Sequence, residues 1–335
     1  MSSLVIQTSF LGDTILTTPL IAELGRRGPV DVVTTPAAAG LLRYHPSVRS
    51  VIAYDKRGGD GGVLGFLRLA RRLRRFGYEG AYLAQGSMRS GALALAAGVT
   101  RRVGFASSAG RRFYTERVAF REDLHHSARL LTLAGVAPAG STVTRPRVFP
   151  GIPERGAVDR LLAFHEVHDD GPPLVALAPA SVWATKRWPF YRELAQALAP
   201  SVRVVILGSR EDVRLSDEVC DSLPGAINAA GMLTVLGSAE LIRRCNVLVS
   251  NDSAPLHLAS AVDTPTVAIF GPTVPAFGFG PLAKDSITVG IDALPCRPCD
   301  RHGPRKCPLG HWKCMRDIAP PDVAARVLDI LSRSP

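Results

Sequence analysis

The sequence predicts an α/β protein of two doubly wound domains, each a parallel sheet with helices on both faces. Short apolar strands alternate with helical segments along the chain, and this order produces parallel sheets. The alternation runs twice, before and after a turn-rich connection at residues 146–171 that holds one helix. A chain of 335 residues is also long enough for two domains with separate cores.

The first run of elements begins with a strand at 4–7 and a helix from about 13 to 27. Apolar runs predict further strands at 30–34, 48–54, 80–84 and 102–105, with helices near 63–76 and 87–97. We therefore assign residues 1–155 to an N-terminal Rossmann-like domain.

The second run predicts strands at 174–178, 203–207, 247–249 and 266–270, and a closing C-terminal helix at about 320–332. Residues 156–335 are assigned to a C-terminal Rossmann-like domain. Parallel sheets bind ligands at the carboxyl ends of their strands, so we expect the two domains to face each other across a ligand-binding cleft.

The composition is that of a globular protein, with 46% hydrophobic and 21% charged residues. No apolar run reaches the roughly 18 residues that span a bilayer. The first residues carry neither the basic region nor the small-residue cleavage site of a signal peptide. We therefore expect a cytoplasmic protein.

Positive charge is concentrated in the N-terminal half. Residues 1–150 hold 21 Lys and Arg against 9 Asp and Glu, and the rest of the chain is nearly balanced. The excess is typical of a surface that meets something anionic, or of a solvated face. No aromatic residues are interleaved with the arginines, and no nucleic-acid-binding motif is present, so a membrane surface or an acidic lipid is favoured over nucleic acid.

Residues 248–271 contain the most informative motif. A strand ends in the small polar turn at 250–255, and a helix that carries His257 follows. The unpaired N–H groups of such a helix start bind phosphate. Asp252 would repel phosphate, so it is better suited to accept hydrogen bonds from sugar hydroxyls. The alternative is an ordinary N-capped helix.

Three other polar segments follow predicted strands. Asp13 lies where a carboxylate could act as a general base or as a helix cap. Ser181 and Lys186 offer a hydroxyl and a point charge to a pyrophosphate. Glu211 is placed to hold ribose hydroxyls or to suit a helix dipole.

Four cysteines form a C-x2-C-x7-C-x6-C pattern near the C-terminus: Cys296, Cys299, Cys307 and Cys314. In a cytoplasmic protein this spacing indicates a metal before disulfides. A structural zinc ion would close the loop at 296–314. Reduced or partly oxidised thiols are the alternatives.

These segments together resemble glycosyltransferase family nine, the ADP-heptose:lipopolysaccharide heptosyltransferases. The similar stretches are FLGDTILTTPLIAEL, YEGAYLAQGSMRSGALALAAGVTRRVGF, S-x4-KRWP, LGS-x-ED, NDSAPLHLASAVDTPTVAIFGPT and the cysteine pattern, which is most like the heptosyltransferase II branch. The resemblance covers nearly the whole chain and implies a GT-B architecture, with acceptor bound by the N-terminal domain and ADP-sugar by the C-terminal domain.

The resemblance also implies a role for each matching residue. Asp13 is the general base of an inverting transfer, and Ser9, Gly12 and Thr14 beside it are assigned to the acceptor. The donor-binding residues are Ser181, Lys186, Glu211, Asp252, Ser253, Ala254 and His257. His257 is equally compatible with an interior position. No cofactor is expected to be required for catalysis.

The expected reaction moves heptose from ADP-heptose to a lipopolysaccharide inner-core sugar. The basic N-terminal half fits an anionic glycolipid acceptor and peripheral contact with the inner membrane surface, without nucleic acid as a partner. An acceptor outside lipopolysaccharide, such as a small aminoglycoside-like metabolite, is the alternative within this chemistry. A nucleotide-sugar epimerase and a non-catalytic basic module are the alternatives from other classes.

Overall fold

The computed structural model describes residues 2–137, 144–221 and 223–333. It divides the chain into two compact units, Met1–Phe149 and Pro150–Pro335. Each unit is built on a six-stranded parallel sheet, and the predicted α/β class is therefore confirmed. The boundary falls earlier than the predicted border at 155/156, which lies inside a helix of the second unit. Pro153 suits the first turn of that helix, so the turn-rich sequence opens the helix instead of preceding it.

The described residues of the first unit form six strands and five α-helices. Its strands are β1 (Ser3–Gln7), β2 (Val30–Thr34), β3 (Val48–Ala53), β4 (Gly80–Leu83), β5 (Arg101–Phe105) and β6 (Glu116–Val118). Its helices are α1 (Leu11–Gly25), α2 (Pro36–Ala39), α3 (Gly62–Arg74), α4 (Met88–Ala96) and α5 (His126–Leu131). The elements β6, α2 and α5 were not predicted, because each is too short to show a periodic pattern.

The strand order of this sheet is β3-β2-β1-β4-β5-β6. All five residues of β1 are buried, as expected for a strand covered by helices on both faces. The order reverses direction between β1 and β4, which is the switch point where doubly wound folds bind ligands. The segments that follow β1 and β4 therefore lie together at one edge of the sheet.

The second unit repeats the plan. Its strands are β7 (Leu174–Ala178), β8 (Arg203–Ile206), β9 (Ile227–Asn228), β10 (Val247–Asn251), β11 (Thr266–Ile269) and β12 (Ile287–Val289). Its helices are α6 (Ile152–Phe164), α7 (Tyr191–Leu198), α8 (Val213–Cys220), α9 (Val235–Arg244), α10 (Ala254–Val262), α11 (Lys313–Arg316) and α12 (Pro320–Arg333). The order β12-β11-β10-β7-β8-β9 places its switch point between β10 and β7.

One apolar cluster fixes the loop that follows β7 in this unit. Trp188 is buried against Phe190 and Tyr191, and its indole N–H donates to the carbonyl of Ile318, 3.1 Å away, just before α12. A buried tryptophan of this kind contributes a large apolar area and needs such a partner. The loop between β7 and α7 is thus anchored at its far end.

Within the described ranges, no helix combines the length and the apolar character needed to cross a membrane.

Candidate functional site

Asp13 lies in the first turn of α1, directly after β1. Its Oδ2 accepts a hydrogen bond from Ser9 Oγ at 2.5 Å and a weaker one from the backbone N–H of Phe10 at 3.4 Å. Its Oδ1 is 4.0 Å from Nε2 of His126, the first residue of α5. The side chain keeps 22% of its surface exposed. The carboxylate therefore caps the helix and is also accessible to a ligand, so the two predicted roles are compatible.

A buried glutamine orients the groups around Asp13. Gln7, the last residue of β1, donates from Nε2 to Thr17 Oγ1 at 3.2 Å. This direction leaves Oε1 of Gln7 facing Ser9, whose hydroxyl is 2.7 Å away. Because Ser9 has one hydroxyl proton, it can donate to Gln7 or to Asp13 at any moment. Ser9 is thus held beside the carboxylate, and its role in acceptor binding stays a prediction.

The other two residues assigned to the acceptor are placed differently. Thr14 is only 1% exposed, and its hydroxyl lies 3.3 Å from the hydroxyl of Thr34 in the interior of the unit. The structure therefore does not place Thr14 at the ligand side, and that assignment is corrected. Gly12 lies inside the first turn of α1 with helical backbone, so it is not needed for a tight turn there.

A basic group that the sequence reasoning missed lies at the same edge. Lys56, three residues beyond β3, donates from Nζ to the carbonyl of Thr8 at 2.6 Å. Burial, together with the charges of Arg57 and Arg89, lowers the pKa of Lys56. The sequence feature that could have identified Lys56 is the basic pair Lys56-Arg57, which directly follows a predicted strand. The segment after β1 therefore brings the Asp13 carboxylate near a loop with the basic residues Lys56 and Arg57. The same loop also carries Asp55 and Asp60, which accept hydrogen bonds from its own backbone N–H groups.

In the second unit, Lys186 and Asp252 form a buried ion pair. Lys186 Nζ is 2.5 Å from Asp252 Oδ2, and the Thr273 hydroxyl donates to the same oxygen at 2.7 Å. These residues follow β7, β10 and β11, three adjacent strands of the sheet. The sequence analysis assigned both Lys186 and Asp252 to donor binding, but it did not predict that they contact each other. It assigned no role to Thr273.

Asn251 joins the two central loops of this site. Its Oδ1 accepts the backbone N–H of Trp188 at 3.1 Å, and its Nδ2 donates to the carbonyl of Pro179 at 2.9 Å. The side chain therefore bridges both ends of the loop that carries Lys186. A buried amide that satisfies main-chain groups in this way fixes loop geometry. Sequence reasoning assigned no role to Asn251, although it directly precedes Asp252.

The start of α10 lies beside this ion pair in sequence. Ser253 is the N-cap residue with extended backbone, α10 begins at Ala254, and Pro255 occupies the first turn. The N–H groups of a first helical turn lack intrahelical acceptors and attract anions. His257 is buried, with its ring 6.2 Å from that of Phe279. Its burial agrees with the interior alternative.

Ser181 and Glu211 lie at the ends of two neighbouring strands. Ser181, after β7, is buried, and its Oγ accepts the backbone N–H of Trp183 at 3.4 Å. Glu211 is exposed after β8, and a hydrogen bond from Ser209 followed by one from its own backbone N–H lowers its pKa. Glu211 is therefore an accessible carboxylate one strand away from the Lys186 loop.

The Cys-rich loop (residues 296–314) packs against the turns that hold the ion pair. The Arg297 guanidinium donates to the carbonyls of Gly271 at 2.7 Å, Phe270 at 3.0 Å and Thr273 at 3.3 Å. The indole N–H of Trp312 donates to the Thr185 carbonyl at 3.0 Å. The loop thus supports both the exit of β11 and the residue that precedes Lys186.

The four cysteines of this loop are free thiols. Cys314 is buried in the core, and Cys296 Sγ lies 3.8 Å from His311 Nε2. Across the described residues, no three or more His, Cys, Asp or Glu side chains are grouped so as to hold a metal ion. The geometry therefore does not provide the zinc site that the spacing suggested, and zinc binding stays a prediction.

Known proteins resemble this chain over most of its length. The family model for glycosyltransferase family 9 (heptosyltransferase) matches residues 66–312. Lipopolysaccharide heptosyltransferase 1 of Pseudomonas aeruginosa is 30% identical over 325 residues, covering 89% of this chain and 86% of that protein. Lipopolysaccharide heptosyltransferase 2 of Salmonella typhimurium is 27% identical over 294 residues, covering 83% and 84%.

Solved structures share the fold. ADP-heptose lipopolysaccharide heptosyltransferase II of E. coli superposes with a TM-score of 0.80 at 24% identity, covering 99% of both chains. A family 9 glycosyltransferase from Veillonella parvula gives a TM-score of 0.87 at 21% identity, covering 99% of this chain and 98% of that one. With the family model matching most of its length, the chain belongs to glycosyltransferase family 9, the heptosyltransferases.

Proposed function

We propose that this glycosyltransferase transfers heptose from ADP-heptose to a lipopolysaccharide inner-core sugar with inversion at the anomeric carbon. The observation that carries the proposal is that each unit has a candidate site at the switch point of its own sheet. One holds the accessible Asp13 carboxylate, and the other holds Lys186 and Asp252 beside the start of α10. The names of the heptosyltransferases that it resembles support the choice of donor and acceptor.

Asp13 acts as the general base in this proposal. Its carboxylate takes the proton of the acceptor hydroxyl as that oxygen forms a bond to the anomeric carbon of heptose. Ser9 holds Oδ2 of Asp13 at 2.5 Å, which orients the carboxylate for this transfer. The bond from the anomeric carbon to the diphosphate oxygen breaks at the same time, and its electron pair leaves with ADP.

The leaving diphosphate needs positive charge, which the second unit supplies. Lys186 and the first-turn N–H groups of α10 would share the negative charge that develops on the diphosphate. Ser181, Ser253 and Ala254 complete the phosphate contacts, and Glu211 accepts hydrogen bonds from the ribose hydroxyls. Because protein groups supply this charge, no catalytic metal is part of the proposal.

Asp252 connects diphosphate binding with sugar binding. Among the described residues, Lys186 and Thr273 both bond to Oδ2 of Asp252. We assign the other carboxylate oxygen to the hydroxyls of the transferred heptose. A sugar without matching hydroxyls would leave that oxygen without this partner on a side chain that is only 10% exposed, and such a loss disfavours the wrong substrate.

The acceptor is assigned to the first unit on charge. Lys56, Arg57 and Arg89 form a basic cluster near the end of β1, and this suits a sugar that carries carboxylates or phosphates. An acceptor linked to lipid also requires peripheral contact with the inner membrane surface from the cytoplasmic side.

An acceptor panel tests this function. Purified protein is incubated with ADP-heptose and, separately, Kdo-containing, heptosylated-Kdo and aminoglycoside acceptors, and products are analysed by mass spectrometry and NMR. We expect one added heptose on an inner-core acceptor, with the anomeric configuration opposite to that of the donor. Transfer to the aminoglycoside alone would support the alternative acceptor class, and retained configuration would contradict the proposed mechanism.

A further inference from the structure

Helix α3 exposes a face that the proposed catalytic roles do not use. The exposed positions 63, 64, 67, 68, 71, 72, 74 and 75 recur at helical spacing along one side of α3 and its C-cap. The opposite side packs on the unit through Gly65, Leu69, Ala70 and Leu73. We call the exposed side, residues 63–75, the α3 face. We propose that the α3 face docks the enzyme on an anionic lipid bilayer.

The N-terminal part of the α3 face is apolar. Val63 is 71% exposed and Leu64 is 78% exposed, with Leu67 one turn further along also exposed. Three adjacent large apolar side chains in water are unfavourable, and clustered apolar exposure marks an interaction site more often than isolated exposure does. The three side chains are suited to enter the boundary between headgroups and acyl chains.

The C-terminal part of the α3 face is basic. Its five arginines are Arg68, Arg71, Arg72, Arg74 and Arg75, all of them exposed. Within the described part of the chain, none of the five forms an ion pair with an acidic residue. No Asp or Glu occurs anywhere in residues 61–78. The arginines are therefore available to anionic headgroups, each of which adds to membrane affinity.

The two parts are arranged along the helix axis instead of around it. Residues 63–75 extend over about 18 Å at the rise of an α-helix. A helix that meets the bilayer with its N-terminal turn would insert Val63, Leu64 and Leu67. Its C-terminal half would then lie among the phosphates, where the arginines bind. This order matches the depth profile of a bilayer interface.

A bilayer fits this face better than a nucleic acid does. Arginine increases the affinity for the phosphodiester backbone of a nucleic acid. The leucine and valine side chains that precede the arginines along α3 would add nothing to that affinity. The exposed side chains of the apolar turn are aliphatic, and the ring of Phe66 within it packs against the core. The exposed ring of Phe76, beyond the C-cap, lies under the Arg49 guanidinium, so the helix presents no row of rings on which successive bases would stack. Charge and apolar exposure therefore point to one occupant that offers both, an anionic lipid surface.

Helix α6 provides a matched control. It exposes Ile152 and Phe164 to 81% and 82%, and its arginines Arg155 and Arg160 are also exposed. Unlike α3, it includes the acidic residues Glu154 and Asp159, so its charges largely cancel. Equal losses of apolar surface on the two helices should therefore have different effects on lipid binding.

Vesicle co-sedimentation of the full-length protein tests the proposal. We expect binding to vesicles of phosphatidylglycerol and phosphatidylethanolamine, weaker binding at high salt, and little binding to pure phosphatidylcholine. The triple variant V63S/L64S/L67S should bind at least tenfold more weakly. The variant R68Q/R71Q/R72Q should lose about a hundredfold, at roughly fivefold per arginine. The control I152S/F164S should stay within about twofold of wild type.

Three outcomes would overturn the proposal: equal binding to both lipid compositions, unchanged binding by both α3 variants, or tighter binding to duplex DNA than to anionic vesicles. The benefit that membrane docking gives to the enzyme rests on the proposed function, in which the acceptor is linked to lipid. The vesicle measurement itself does not depend on that function. Heptose transfer to a water-soluble acceptor should be unchanged in the α3 variants. Absent transfer by the wild type would overturn the proposed function and leave the lipid result standing.

Discussion

Lys186 Nζ lies 2.5 Å from Asp252 Oδ2, although the two residues are 66 positions apart in the sequence. Both side chains are about nine-tenths buried. The ammonium that we assign to the diphosphate is therefore held by the carboxylate that we assign to the sugar. In the unliganded enzyme the pair is close to neutral, and a bound diphosphate would share the lysine with Asp252. The two donor contacts are coupled through one ion pair.

Replacing Lys186 with Met should damage both catalysis and folding. The variant loses charge at the leaving group, so kcat/KM should fall about 10²–10³-fold. It also leaves Asp252 buried without its cation, which should reduce the free energy of unfolding by about 3–5 kcal/mol. Urea denaturation and ADP release measure the two effects.

The double variant K186M/D252N separates these effects. Removing the orphaned charge should restore most of the lost stability without restoring turnover. If the double variant is no more stable than K186M, the ion pair is not the reason for the loss.

Sequence reasoning placed the candidate site residues at the ends of predicted strands but did not predict their contacts. Strand ends were predictable because fully buried strands such as β1 give continuous apolar runs that stop in small polar residues. The Lys186–Asp252 contact depends on β7 and β10 being neighbours, which follows from strand order and not from local pattern. Thr14 was misplaced because a threonine three residues past a polar turn has no sequence signal that tells an inward from an outward hydroxyl.

Short secondary-structure elements were also not predicted from the sequence. Helix α5 has only six residues, too few for a periodic signal, yet it brings His126 to 4.0 Å from Asp13. Asn251 was missed for a different reason. Its side chain bonds to main-chain groups of Pro179 and Trp188, and such partners cannot be read from residue types.

Asp13→Asn should abolish most turnover while leaving the donor site intact. Loss of a general base costs about 10²–10⁴-fold in kcat, and donor affinity should change less than about twofold because Asp13 lies in the other unit. ADP release and calorimetric titration with ADP measure these two quantities. Thr14→Val is the control, since its buried hydroxyl is directed to Thr34. Near-wild-type kcat in Asp13→Asn would exclude it as the base.

Stability should decline as the pH falls below about 6.5, because of His45. Burial lowers the pKa of His45 to about 4, and Nδ1 accepts the backbone N–H of Ser47. Between the two pKa values the unfolded chain binds a proton that the folded state does not. The loss should reach about 3 kcal/mol by pH 4.

Guanidinium unfolding across this pH range measures the loss. In His45→Gln, the fall in the free energy of unfolding between pH 6.5 and pH 4 should be smaller than in the wild type by about 3 kcal/mol. An unchanged slope would show that other groups cause the acid sensitivity.

Arg297→Met should weaken donor binding more than the chemical step. The substitution leaves the carbonyls of Phe270, Gly271 and Thr273 without their guanidinium, and the exit of β11 should loosen. We expect a stability loss of about 3 kcal/mol and a rise of about tenfold in the donor KM. Asp292→Ala is the control, because Asp292 is fully exposed beside Arg297. A fall in kcat at constant KM would contradict this positioning role.

Chelation should leave catalysis unchanged. Lys186 and the N-terminus of α10 supply the positive charge at the leaving group, so ADP release in excess EDTA should stay within about twofold of the untreated rate. Metal analysis of the purified protein tests the zinc prediction separately. One zinc per chain, lost in Cys314→Ser, would show that the Cys-rich loop gathers its thiols around a metal after all. Abolished turnover in EDTA would contradict metal-free catalysis.

Acceptor-dependent ADP release tests the central claim most directly. Wild-type protein is given ADP-heptose with and without a Kdo-containing inner-core acceptor, and ADP is followed over time. We expect release to depend on the acceptor and to fall at least a hundredfold in Asp13→Asn. Release at the same rate without acceptor, or no release with any Kdo- or heptose-containing acceptor, would contradict heptose transfer by this enzyme.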